Sequence, residues 1–282
     1  MEADYEHKDK LANIFIDAYN RMGYDFLNIG DNDLKLGLNQ LRELEAQANF
    51  DFISANIIMA NTKEHLFVPY KIVNLNGVKF GFIGLASEPE GLDNRLDVLN
   101  PIEAYEKTRL DITDKCDFII AVIALNATDE HNFISGDTSA DLIISANQYR
   151  YSKYVQSQRD KLIAYTDHSG KRIVKITGNV KDKQKGFGNN SEIEYRFKMN
   201  RKRIQRYEKM AGEQSIQDYF KKQPRVIKMV DRLKKQQKIY QESLNSITNP
   251  LSLELIEVEL QIKRDETIKK RIEKFTKQYK KI

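Results

Sequence analysis

The stretch Asp117-Phe118-Ile119-Ile120-Ala121-Val122-Ile123-Ala124-Leu125 is apolar throughout after its first residue. A strand with one face in water alternates apolar and polar residues. One that is apolar on both faces is covered on both and lies centrally, the habit of parallel sheets. Upstream, Asn100-Pro101-Ile102-Glu103 supplies an N-cap, a proline at the first helical position and a glutamate at the third, so a helix starts there and runs towards Lys115. Downstream, a short helix near residues 128–135 precedes Ala140-Asp141-Leu142-Ile143-Ile144, a second buried strand. Helix, central strand, helix and strand in this order predict α/β layering.

Working outward, Leu11, Ile14, Phe15, Ala18, Tyr19 and Met22 recur at helical spacing within residues 5–22, and Gly23 follows as a stop signal. Tyr24 to Ile29 reads as a strand. Leu34, Leu38, Leu41 and Leu44 then line a helix ending near Asn49, and Phe52 to Ile57 reads as a short strand. Asn76-Gly77 stands between two apolar runs within Tyr70 to Leu85; both residues tolerate positive φ, so the segment is a hairpin. Lys161–Thr166, Arg172–Thr177 and Glu192–Lys198 read as strands, with residues 178–190 a loop. From 201 onward, Val226, Val230, Leu233, Tyr240, Leu244 and Ile247 follow 4 and 3 spacing with Gln237 in the missing place, as do Ile268, Ile272, Phe275, Tyr279 and Ile282. Leu255, Ile256, Val258, Leu260 and Ile262 between them read as a strand, which makes the tail helix, strand, helix.

The 282 residues include 14 Tyr and 13 Phe besides many aliphatic side chains, so the mean hydropathy of −0.61 does not imply a disordered chain. No apolar run reaches the roughly 18 residues of a membrane span, and the acidic, polar opening MEADYEHKDK is unlike a signal peptide. As written the chain reads as cytoplasmic. Cys116 is the single cysteine, which excludes an internal disulfide, and it reads as a small buried apolar residue. The net charge of +5 is unevenly spread: residues 201–282 carry 22 Lys and Arg against 11 Asp and Glu, so the front is acidic and the tail basic. The plain reading of that tail is a set of solvated helix faces.

The run Tyr19 to Leu34, which contains Asn20-Arg21-Met22-Gly23-Tyr24-Asp25 and Gly30-Asp31-Asn32-Asp33, is followed by Gly37, Leu41 and Phe52-Ile53-Ser54-Ala55-Asn56-Ile57. These landmarks resemble those of the calcineurin-like metallophosphoesterases of the 5′-nucleotidase type, where "N-x-x-G-Y-D", a strand and "G-N-H-E-F-D-x-G" precede a helix and "S-A-N". The likeness continues through Pro69-Tyr70, Gly77 to Leu85, the strand ending at Leu125, and Ala140 to Ile144. It covers residues 8 to 200. The resemblance implies a four-layer αββα sandwich over residues 1–200, short of its first strands, with residues 201–282 as a basic helix-strand-helix extension packed on it.

The resemblance also implies two metal ions held by His, Asp and Asn, which polarise a phosphoryl group and lower the pKa of the attacking water. At the family's metal-ligand asparagine this chain has Asp31, and at its catalytic histidine Asn32, which cannot shuttle a proton. The family's "S-H" is matched by Ala124-Leu125 and its "G-G-H-x-H" by Ser145-Ala146-Asn147-Gln148-Tyr149. Leu125 cannot ligate a metal, and Asp31 and Asn147 are remnants at most, with Tyr149 at a lost ligand position. The family's "D-x-H" strand would lie upstream of residue 1, so the chain reads as N-terminally truncated, and as periplasmic or envelope-bound if a leader precedes it. His7, His65, His131 and His168 fall outside the ligand positions and read as surface or loop residues. Asp129-Glu130-His131 offers a rearranged single-metal site as a minor alternative.

No phosphate-cradling G-x-x-x-x-G-K-[ST] and no G-x-S-x-G nucleophile turn occurs. Asp31 and Asp33 read as loop or helix-capping carboxylates, and Asn56 as a residue that holds a turn. The expectation is therefore a degenerate 5′-nucleotidase-type domain that works by binding or scaffolding, with no cofactor. Its partner would be a protein, or a second copy, meeting a sheet edge left unpaired by the missing strands. The alternative is a phosphohydrolase acting on nucleotides or other phosphomonoesters through a reduced site, for which oxygen donors would favour Mn or Mg. Nucleic acid, met through residues 201–282, is disfavoured as a partner, since that tail offers little interleaving of aromatic and basic residues beyond stretches such as Arg206-Tyr207 and Phe220-Lys221-Lys222.

Overall fold

The computed structural model describes residues 8–146, 151–166, 171–258 and 265–279, and the stretch that opens the sequence reading is its central strand. The front half runs α1 (Lys8–Met22), β1 (Phe26–Asn28), α2 (Asp31–Leu34), α3 (Leu38–Gln47), β2 (Asp51–Ile53), β3 (Ile57–Met59), β4 (Tyr70–Leu75), β5 (Val78–Ala86) and β6 (Leu96–Val98). It continues through α4 (Pro101–Ile112), β7 (Phe118–Ala124), α5 (Ala127–Ser135), β8 (Leu142–Ser145), β9 (Gln156–Gln158) and β10 (Lys161–Tyr165). The remainder is β11 (Arg172–Gly178), β12 (Gly188–Asn189), α6 (Asn190–Ala211), α7 (Ile216–Tyr219), α8 (Pro224–Ser246), β13 (Pro250–Glu257) and α9 (Glu266–Tyr279).

A six-stranded sheet of order β4-β5-β7-β8-β10-β9 forms the frame. Its inner strands are parallel and its two edge strands antiparallel. The β4–β5 hairpin turns at Asn76 and Gly77, whose φ values of 54° and 82° are those a two-residue hairpin loop of matching twist requires. One face of the sheet buries Ile83, Leu85, Ile119, Ala121, Ile123, Ile143 and Ile163 against α4 and α5, where Tyr105 and Phe133 meet edge to face at 5.1 Å. Each such ring, fully buried, contributes roughly 1.5–3 kcal/mol. Asn100 caps α4 through the Ile102 and Glu103 amides, and Pro101 opens it, as its sequence predicts.

The opposite face carries Phe80, Phe82, Ile120, Val122, Leu142 and Ile144, the alternate residues of the same strands. Part of it meets the parallel pair β1–β2, with Phe26 and Phe82 rings 4.9 Å apart. Outside β1–β2, α1 and α3 close a second core around Ile16, Ile29, Leu34, Leu41, Leu44 and Phe52. The order α4/α5, large sheet, small sheet, α1/α3 is the expected αββα layering. The remainder of that face is met by Ile176, Leu251 and Leu253 of a three-stranded sheet, β11-β13-β12, and by Phe187 just before β12. Strand β11 thus pairs with a strand from beyond residue 200, and α6 runs across that position.

Four local expectations are corrected. The strand expected over Phe52–Ile57 divides, because the buried turn at Ser54-Ala55-Asn56 sends Ile57 into an antiparallel pair with β6. The single helix expected from Leu34 to Asn49 is two, α2 and α3, parted at Gly37. Glu192–Lys198 is helix, not strand: Asn189 caps α6 by accepting the Glu192 amide, Glu192 pairs with Arg196 one turn on, and Ile193, Phe197 and Ile204 continue a helical stripe. The tail has more helix than expected, since α6, α7 and α8 form a hairpin before β13. Its α8 keeps Gln237 half-buried in the apolar stripe, as expected. The proposed stripe and strand positions at Leu260, Ile262 and Ile282 lie outside the described residues.

Asp93 ties this frame together before β6. Its carboxylate accepts the Leu38 amide at 3.1 Å, where α3 begins, and the Arg95 guanidinium at 2.6 and 3.0 Å. The Arg95 side chain, its amide and the Leu38 amide hold the carboxyl well below the usual carboxylate range. The unfolded chain therefore takes up this proton first, so the stabilisation is complete above about pH 4 and is lost as pH falls further. Urea midpoints measured between roughly pH 2 and 7 will show a shallower acid decline for Asp93→Asn than for the wild type. Equal acid slopes in the two would remove Asp93 from the account.

Candidate functional site

In open α/β sheets ligands bind beyond the carboxyl ends of the strands. Here those ends belong to β1, β2, β5, β7, β8 and β10, and two of them touch: a β-carbon built at Gly30, just after β1, would stand 2.9 Å from the Ala124 methyl at the end of β7. The start of the loop Gly30-Asp31-Asn32-Asp33 is thereby brought beside Ala124, far from it in sequence.

The side chains at these positions are committed to the protein itself. The Asp33 carboxylate accepts the Gly30 amide at 2.9 Å and so caps the start of α2. Burial pushes its pKa up, the Gly30 N–H opposes this, and Asp31 adds a further upward push. Asp31 is half-buried in the first turn of α2, while Asn32 is exposed and accepts a hydrogen bond from the Lys35 ammonium at 2.9 Å. Leu125 is buried and packs in the core beneath α4 and α5. The next residue, Asn126, is the N-cap of α5 and accepts the Thr128 and Asp129 amides at 3.0 and 2.9 Å.

The end of β2 is held by Asn56, which is fully buried. Its amide nitrogen donates to the Ala86 carbonyl at 2.7 Å and the Leu99 carbonyl at 3.0 Å. Its oxygen accepts from the Ala86 amide at 3.0 Å and the Ser54 hydroxyl at 3.2 Å. All four hydrogen-bonding capacities of the carboxamide are used, so Asn56 holds a turn as its sequence position predicts.

One cluster escaped the sequence reading. The Ser87 hydroxyl at the end of β5 donates to the Asp129 carboxylate and accepts the Asn126 amide at 3.0 Å, and the Asn126 side chain donates to Asp129 at 2.9 Å. Asn126 with an aspartate three residues on carries a helix-start signal; nothing marks Ser87, which arrives from another strand. The cluster lacks an imidazole, and its carboxylate is already taken up by Ser87 and Asn126, so it is not set up to abstract a proton. The Asp129-Glu130-His131 alternative does not assemble either, because Glu130 is buried while His131 is exposed. His65 is exposed. Asn147, Tyr149, His7 and His168 lie outside the described residues.

No family model matches the chain. Over 180 residues it is 29% identical to Protein UshA of Yersinia enterocolitica, a match covering 59% of this chain and 32% of that protein. Over 111 residues it is 34% identical to a 5′-nucleotidase of Vibrio parahaemolyticus, covering 36% of this chain and 20% of the relative. Over these spans the chain is a relative of the 5′-nucleotidases. The solved structure of a 5′-nucleotidase precursor from Thermus thermophilus shares the fold, with a TM-score of 0.54, 18% identity, and coverage of 64% of this chain and 40% of that one. The fold is the one these 5′-nucleotidases of known structure share over the matched span. The chain spans about a third or less of the length of these curated relatives.

A dinuclear metal centre needs several imidazole, carboxylate or amide donors turned into one space. The described strand ends do not fit that need. Leu125 has no donor atom, Asn32 is turned to Lys35, Asp33 caps its own helix, and no group of three or more His, Cys, Asp or Glu stands close enough to share an ion among the described residues. No helix of the described residues is long and apolar enough to cross a membrane.

Proposed function

We propose that this chain is a 5′-nucleotidase-type domain that has exchanged its dinuclear metal site for structural side chains and acts as a binding or scaffold module. One observation carries the reading. The strand ends converge at Gly30 and Ala124 as a phosphoesterase site requires, yet the leucine at the implied imidazole position is packed into the core and its neighbour Asn126 caps a helix. Restoring a donor there would mean withdrawing a buried side chain from packing worth roughly 1.5–3 kcal/mol. Among the described residues, β1 pairs with β2 alone, which leaves a parallel edge to which a protein partner or a second copy could add a strand.

The test is calorimetric titration of the chain with Mn²⁺ and with Zn²⁺, alongside hydrolysis assays on a nucleoside monophosphate and a chromogenic phosphoester with Mn²⁺, Mg²⁺ and Zn²⁺. The expected outcome is no tight binding of two ions and no turnover that a chelator abolishes. Two tightly held ions, with chelator-sensitive turnover that Asp31→Ala destroys, would establish instead the reduced-site phosphohydrolase.

A further inference from the structure

The bland reading of a lysine-rich helix is a solvated face laced with i, i+3 and i, i+4 ion pairs. The α6–α8 hairpin does not follow it. Residues 196–238 hold fifteen Lys and Arg against four Asp and Glu, and among the described residues Arg196, paired with Glu192, is the one basic side chain of the fifteen with an ion-pair partner. The two helices lock face to face. Asn200 donates to the Leu233 carbonyl across the hairpin at 2.9 Å, Ile204 and Ala211 of α6 and Val230 and Leu233 of α8 are buried, and Phe220 seals the tip against Tyr207 at 5.8 Å.

With the inward residues fixed, the 3.6-residue period fixes what faces out. On α6 the stripe opposite Ile204 reads Lys198, Lys202, Arg206, Lys209, and on α8 the stripe opposite Val230 reads Arg225, Lys228, Arg232, Lys235; all eight are exposed. Successive members stand three or four residues apart, the spacing at which like charges repel along a helix. The hairpin carries this repulsion with few internal counter-charges, and a dense line of negative charge would relieve it.

We propose that the α6–α8 hairpin is a docking surface for the phosphate backbone of nucleic acid. Two features favour this partner over an anionic lipid surface. A helix that lies on a membrane leaves a continuous apolar face free to sink between headgroups. Here the apolar faces of both helices are used up against each other, and Met199, Met210, Met229 and Ile239 stand singly among charges. The two cationic stripes also point away from each other, so a flat surface would neutralise one and strand the other, whereas a flexible or grooved polyanion can reach both. Contacts of this kind are made to phosphates and carry no sequence preference. The inference stands on the hairpin alone and is independent of the fate of the metal site.

The experiment is fluorescence anisotropy of the full chain with a mixed-sequence duplex of about two helical turns and with a single-stranded RNA of the same length, across a salt series. On the duplex, engagement of one stripe gives a slope of log affinity against log salt of about −4, and of both about −7, with affinity falling at least about 100-fold between roughly 50 and 200 mM salt; on the single strand the slopes are about −3 and −6. Replacing all eight outward cations by glutamine will weaken binding at least about 100-fold and flatten the slope, with each four-residue set alone giving an intermediate slope. A matched variant with Lys107, Lys171, Lys181 and Lys277 changed to glutamine will stay within about twofold of wild type. The glutamine variants will melt no lower than wild type, since they relieve repulsion on exposed faces. Absence of binding at low salt, an eightfold variant that binds like wild type, or binding to phosphatidylserine vesicles without nucleic-acid binding would each overturn the proposal, the last in favour of a membrane surface.

Discussion

Asn56→Leu will destabilise the chain by about 4 kcal/mol, because it keeps the branched outline of the side chain, slightly enlarged, and removes its four hydrogen bonds. The Ala86 amide and carbonyl lose their partner in a buried site, and the Leu99 carbonyl loses its partner in a partly buried one. Each orphaned buried group costs about 1–3 kcal/mol, which together outweighs the gain from a more apolar side chain. The check is the urea midpoint, with an unchanged m-value to show that the denatured state is unaffected. Ser54→Ala is the internal comparison: it removes the single 3.2 Å bond from the Ser54 hydroxyl and will cost about 1 kcal/mol. If Asn56→Leu costs no more than Ser54→Ala, the carboxamide does not clasp the three strand ends together.

Gly84→Val produces the second large effect, about 3 kcal/mol or more, through a different cause. Gly84 faces the small sheet at its closest approach to the large one. A β-carbon there would collide with the Asn28 carboxamide oxygen and stand 2.8 Å from the Ile53 carbonyl oxygen. The Asn28 side chain can rotate away. The Ile53 carbonyl is backbone and accepts the Ile29 amide at 3.2 Å, so displacing it pulls apart the link between β2 and the residue after β1. The Gly84 carbonyl also receives the Ala55 amide at 2.8 Å, which ties the same point to the turn that Asn56 holds. Hydrogen exchange will show the loss of protection concentrated in residues 26–29 and 51–55, with the α4 and α5 side of the large sheet retaining its protection. Adding Asn28→Ala to Gly84→Ala will recover less than half of the loss, since the backbone collision remains. Uniform loss across the whole sheet would mean that the two sheets do not part at this contact.

Both effects arise where chain segments distant in sequence meet, and this divides what was legible from what was not. Phe118 to Ala124 declares a central strand because burial on both faces demands apolar residues at every position. Asn100-Pro101 and Asn76-Gly77 declare a helix start and a turn because their backbone preferences are local. Glu192 to Lys198 misleads for the same reason. Seven residues alternating charged and apolar satisfy the strand period, and only the Asn189 cap and the pairing of α6 with α8 and β13 select helix. The turn at Ser54-Ala55-Asn56 was legible in Asn56 alone, since its partners Ala86 and Leu99 lie about 30 and 43 residues onward.

The candidate site divides in the same way. That Asn32 carries no titratable imidazole and Leu125 no donor atom are facts of composition, readable without coordinates because a side chain lacking a donor atom lacks it in every conformation. That Leu125 is spent on the core, that Asp33 serves its own helix, and that Ser87, Asn126 and Asp129 bind one another depends on which strands end side by side. The basic charge of the tail was likewise counted from the sequence. Its arrangement as two outward stripes with almost no ion pairs required knowing which faces of α6 and α8 the hairpin consumes. The sequence by itself determined the local elements with strong caps and periods and the α/β layering, since these follow from the chemistry of residues near one another in the chain. Only the tertiary structure decided which polar groups are spent on folding and which cations stand exposed without an ion pair among the described residues, because hydrogen bonds and ion pairs are settled by proximity in space.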